Sequence, residues 1–129
     1  MQKGLDRMES KLKSFIGHDF NNTIDSEWVY ERMQKTARAE LRKMMLPYKI
    51  TIHKFYKNHF EFSAILKEEE SGNYIYIAIR DVRLMGDIWW NRVLYRTMAN
   101  EKDARGGMNH FCRWDELAEN IKDLLDKSR

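Results

Sequence analysis

Residues 74–82, Tyr-Ile-Tyr-Ile-Ala-Ile-Arg-Asp-Val, decide the fold class. They are rich in β-branched and aromatic residues, which suit a pleated surface. Alternation sends Ile75, Ile77 and Ile79 to one side and Tyr74, Tyr76, Ala78 and Val82 to the other. A strand that is apolar on both sides belongs inside a sheet.

Working outward, the same period of two runs through Tyr48 to Tyr56, and again through Phe60 to Leu66. Lys57-Asn58-His59 reads as the turn between them, and Glu68 to Asn73 as a solvated loop. Downstream, Met85-Gly86-Asp87 reads as a turn and Trp89 to Met98 as a fourth strand. That strand sets Trp89, Val93 and Tyr95 on one side and Trp90, Leu94 and Met98 on the other. Asn100 to Met108 is a polar loop whose Gly106-Gly107 permits positive φ at two successive positions. Asn109 is expected to bond its own backbone there and fix the return of the chain.

Helical spacing occupies both ends. Leu5, Met8, Leu12, Phe15 and Ile16 form one stripe, closed by Gly17. A second helix is expected from Ser26 to Met45, with apolar Val29, Tyr30, Met33, Ala37, Leu41 and Met44, and Pro47 ends its pattern. A last helix begins near Trp114, with Asp115 and Glu116 in its first turn and Leu117, Ile121, Leu124 and Leu125 as its stripe. The expected fold is therefore α+β, in the order ααββββα, with a four-stranded antiparallel meander. It forms one domain over residues 1–129: a helical pair in 1–46, the sheet in 47–99, and a loop with the C-terminal helix in 100–129.

Composition narrows the function classes. The chain has 129 residues, 33% charged and 43% hydrophobic, enough for one core without metal or disulfide. The longest apolar run, Tyr74 to Ile79, is far too short to span a bilayer, and the opening residues hold no secretory h-region. A cytoplasmic location without membrane contact is expected. The net charge of +3 is too small for a chain that binds through phosphate contacts alone, and not acidic enough for a DNA mimic. Residues 1–50 carry +3, 51–100 carry +1 and 101–129 carry −1, so any basic surface should lie towards the N-terminus.

Motifs for catalysis are sparse. Cys112 has His110 two residues away, on the same side of an extended segment, but catalytic pairs usually come from separate parts of a chain. His53 and His59 flank the first hairpin and make a poor zinc site without a third ligand. Glu61 and Asp81, on neighbouring strands, are the carboxylate pair from which a metal-dependent nuclease, a further alternative, could be assembled. Neither a metal nor a cofactor is expected.

Two surfaces are candidates for binding. Lys35, Arg38 and Arg42 form a basic stripe at i, i+3 and i+7, to which Lys49, Lys54 and Lys57 add charge; this is the nucleic-acid-binding alternative. The sheet side left bare by the helices offers Tyr74, Tyr76, Trp89 and Arg96, rimmed by Asp103, Arg105 and Asn109, as a surface for a protein or for a second copy of the chain.

Asp81-Val82-Arg83, Leu94-Tyr95-Arg96-Thr97 and the loop Glu101-Lys102-Asp103-x-x-Gly106-Gly107-x-Asn109 resemble a segment of small accessory proteins of bacterial mobile elements: conjugative elements, plasmids and prophages. In that pattern Arg-Thr-Ala leads to Asp-Tyr-x-Gly-Gly-x-Asn; here Met98 stands for the Ala and Ala104 for the Tyr. The resemblance spans about residues 60–113 and brings no catalytic residues. It implies a non-enzymatic binding protein that inhibits or modulates a host protein or nucleoprotein complex, such as a CRISPR effector, in the manner of anti-CRISPR proteins.

Overall fold

In a computed structural model, residues 10, 12, 23–57, 61–80, 92–100, 102 and 107–127 are described. Helix α1 spans Thr23–Met45, and strands β1 to β5 span Ile50–Lys57, Glu61–Glu68, Tyr74–Arg80, Val93–Thr97 and His110–Cys112. Helix α2 spans Leu117–Lys127. Each strand pairs antiparallel with the next, in the order β1-β2-β3-β4-β5. The α+β class and the meander are as the sequence reads.

Two details differ. Among the described residues there is one N-terminal helix; the stretch 5–16 lies outside them except for Ser10 and Leu12, and Leu12 is buried in the core. The sheet gains a fifth strand from residues beyond the polar loop. Three residues are too few to show a period, and His110 to Cys112 form a strand because β4 offers a free edge to pair with.

Pro47 acts where expected. It sits in a 3-10 turn, Leu46–Tyr48, directly after α1, and Lys49 closes that turn at φ 57. The β2–β3 connection is exposed over residues 69–73, as read, but Glu68 belongs to the strand before it and the turn is tight. Gly72 takes φ 75, its N–H bonds Glu68 O at 2.8 Å, and Glu68 N bonds Asn73 O at 2.9 Å.

Register settles which sheet side is core. Leu66 pairs with Ile75, Ala64 with Ile77, Phe62 with Ile79, and Ile77 in turn with Tyr95. All of these are buried, in one cluster with Met33, Ala37, Leu41 and Met45 of α1 and Leu117, Ile121 and Leu125 of α2. Both helices therefore cover the Ile75–Ile77–Ile79 side. Burying each large aliphatic side chain there is worth roughly 1.5–3 kcal/mol.

A buried polar knot joins the ends of the chain. Glu40 on α1 accepts from Trp114 Nε1 at 2.9 Å and from Ser10 Oγ at 2.7 Å. Glu68, only 1% exposed and so far from solvated, accepts from Lys122 Nζ and Ser71 Oγ at 2.7 and 2.6 Å. Each carboxylate leaves water only because charged or polar donors meet it.

Candidate binding surfaces

The side of the sheet away from the helices carries Lys67, Ile65 and Ser63 on β2, Tyr74, Tyr76 and Ala78 on β3, Leu94 and Arg96 on β4, and Phe111 on β5. Tyr76 and Arg96 are directly opposite each other, and the Arg96 guanidinium lies 5.0 Å from the Tyr76 ring centre. Arg96 Nη1 also donates to Asn109 Oδ1 at 3.1 Å. Asn109 thus holds an arginine on β4 rather than its own backbone. Arg96 Nε is buried without an acceptor. One strand-width away Lys67 Nζ lies 5.6 Å from the Tyr74 ring centre, and His53 meets Tyr74 edge-on at 5.1 Å.

Three residues expected on one binding surface, Tyr76, Arg96 and Asn109, are therefore in contact, with Tyr74 on the same side. Trp89, Asp103 and Arg105 lie outside the described residues. Phe111 on β5, 56% exposed and paired with Leu94, adjoins this group and was missed as a candidate, because its side is undefined until β5 is known to be a strand.

The basic residues divide. Lys35, Arg38 and Arg42 are exposed along α1 as the spacing requires. Lys49 is drawn to Glu70 at 3.8 Å. A shift of register between Ile52 and Lys54 pairs Lys54 with Ile65, on the side away from α1, so Lys54 does not extend the stripe. Lys57 closes β1, and its side chain lies outside the described part. Phe55, next to Lys54, turns towards α1: it stacks on Phe62 at 5.4 Å, and Arg38 lies 5.8 Å from its ring centre.

Between α1 and edge strand β1 lies a cleft of about 510 Å³, lined among the described residues by Glu31, Gln34, Lys35, Arg38 and Phe55. Gln34 is 4% exposed, and both its Nε2 and its Oε1 lack a hydrogen-bond partner. A buried amide left this way costs about 1–3 kcal/mol. Gln34 falls on the core side of α1 beside Met33 and Ala37, where sequence alone reads a helix-interior polar residue as surface.

Groups for catalysis stay apart. His110 and Cys112 do share a side of β5, but His110 stacks on Tyr95 at 5.2 Å, and burial, followed by the Glu116 and Asp115 carboxylates, pushes the Cys112 thiol up to about 12. A thiol so placed is a poor nucleophile. Among the described residues no group of three or more His, Cys, Asp or Glu could hold a metal ion; His59 and Asp81 lie outside them. No described helix is long and apolar enough to cross a membrane. Comparison with family models, curated proteins and solved structures returns no match.

Proposed function

We propose that this chain is a binding protein of a bacterial mobile element that modulates a host protein, such as a CRISPR effector or another defence nuclease, without catalysing a reaction. The observation that carries this reading is the Tyr76–Arg96–Asn109 assembly on the sheet side away from both helices. Tyr and Arg anchor interfaces more than most residues, and an arginine already stacked and hydrogen-bonded has little rotamer entropy left to lose on docking. The resemblance of residues 60–113 to mobile-element accessory proteins supplies the setting.

The test is plating efficiency of a targeted phage on hosts with an active CRISPR or restriction system, with and without the chain. The native chain is expected to raise plating, and Arg96→Glu to abolish the gain while its thermal midpoint stays put. Protection that survives Arg96→Glu and Tyr76→Ala would move the active surface elsewhere.

A further inference from the structure

The α1–β1 cleft belongs neither to the Tyr76–Arg96 surface nor to the core. Its volume, about 510 Å³, falls in the range of small-ligand sites, roughly 300–1,000 Å³. Buried amides are almost always paired, so a Gln34 whose side-chain Nε2 and Oε1 are both unused asks for a partner carrying donor and acceptor side by side. A nucleobase edge is such a partner, and Gln is one of the side chains that pairs with it in two bonds.

The rest of the lining fits the remaining parts of a nucleotide. Phe55 is backed by Phe62, and the Arg38 guanidinium lies over its ring, so the plane left for a base is that of the Arg38 guanidinium, supported by the two rings. Helical spacing sets Glu31, Gln34, Lys35, Arg38 and Arg42 in sequence along α1. The line runs from a carboxylate, which accepts from exocyclic amines, to cations that suit phosphate. An acidic peptide would use the cations but would gain nothing from the ring platform and would meet Glu31.

We propose that the cleft formed by Gln34, Phe55, Arg38 and Lys35 binds one nucleotide unit, with the base edge at Gln34, the base plane on the Arg38 guanidinium that Phe55 supports, and the phosphate at Lys35. The unit comes either from single-stranded nucleic acid or from a free nucleotide.

The probes are fluorescein-labelled single-stranded homopolymers of each base, read by anisotropy, and the four free monophosphates, read by amide chemical shifts. A duplex and a polyglutamate peptide serve as competitors. The native chain is expected to bind at least one homopolymer or monophosphate better than either competitor. Gln34→Leu is expected to weaken that binding roughly tenfold and to level the differences among bases, with a thermal midpoint equal to or above that of the native chain. Phe55→Ala and Arg38→Gln should weaken it for all bases alike. Binding by homopolymers alone assigns the site to a strand; binding by monophosphates assigns it to free nucleotides. Arg96→Glu, on the far side of the sheet, should leave it unchanged, so that this site and the protein-binding surface fail separately. The proposal is overturned if no probe binds, if duplex or polyglutamate binds as well, or if Gln34→Leu binds like the native chain.

Discussion

Cys112 and Glu40 show how burial and the groups met there decide what a side chain does. The Cys112 thiol, raised to about 12, stays protonated at neutral pH and reacts slowly. Cys112→Ser is expected to leave host protection within about threefold of native, a small effect of the size usual for substitutions away from a site. Alkylation by iodoacetamide near pH 7.5 should lag well behind that of a free thiol. Labelling as fast as free cysteine would show that the thiol is not held above its ordinary pKa. Glu40 is a buried side chain that serves by accepting hydrogen bonds. Glu40→Ala strips the acceptor from the buried Trp114 indole N–H and should cost about 2 kcal/mol, read as a lower urea midpoint. Glu40→Gln keeps an acceptor and should cost less. Equal midpoints for native chain and Glu40→Ala would remove the knot from the account of stability.

At the scale of elements, the close approach of the returning chain to the end of β4 depends on Gly107. The Gly-Gly pair suggests positive φ, but Gly107 does not adopt it; the reason for glycine is closeness. A Cβ there would meet Thr97 Oγ1 and lie 2.8 Å from the Thr97 carbonyl oxygen. Gly107→Ala is expected to cost about 1–3 kcal/mol by overpacking, seen in thermal unfolding. Because the backbone oxygen is also too close, Thr97→Ala added to it should not restore the loss, and full rescue would show that only the hydroxyl matters. The same stretch marks what sequence could reveal. Long periodic elements were legible: the 74–80 strand, the α1 stripe and its stop at Pro47, and the last helix. β5 was not, because a three-residue strand is defined by its partner and not by its own pattern. Tyr76 and Arg96 could be named as surface anchors from alternation, but their contact needed the β3–β4 register. Gln34 could not be found at all, since its isolation results from how α1 settles on the sheet.

Across the whole molecule, both helices carry charges of both signs, Glu31 and Glu40 on α1 and Lys122 and Lys127 on α2 among them, but each has a stretch of one sign. The α1 stripe carries Lys35, Arg38 and Arg42, whereas Glu116 precedes α2 and Glu119, Asp123 and Asp126 lie on it. That acidic side acts on the groups it faces. Tyr48 is raised by burial first and then by Glu119 and Asp123; Tyr95 by burial, then Cys112 and Asp123. Lys122 is raised chiefly by its hydrogen bond to Glu68. Together with Cys112, all four groups hold their protons more tightly folded than unfolded. Stability from such groups is complete below their unfolded pKa values and is lost as pH climbs through the folded ones. The unfolded chain releases its cysteine proton near 9.0, while the folded chain keeps it to about 12. The urea midpoint should therefore hold level near neutral pH and fall continuously between about pH 9 and 12, as the unfolded state sheds protons that the folded state retains. Cys112→Ser removes one of these protons, so its midpoint should fall less steeply over the same interval. Salt should soften the part due to the α2 carboxylates and leave the part due to burial. Parallel curves for native chain and Cys112→Ser would mean that the thiol titrates alike in both states, and that its place between β4 and the acidic end of α2 does not shield it.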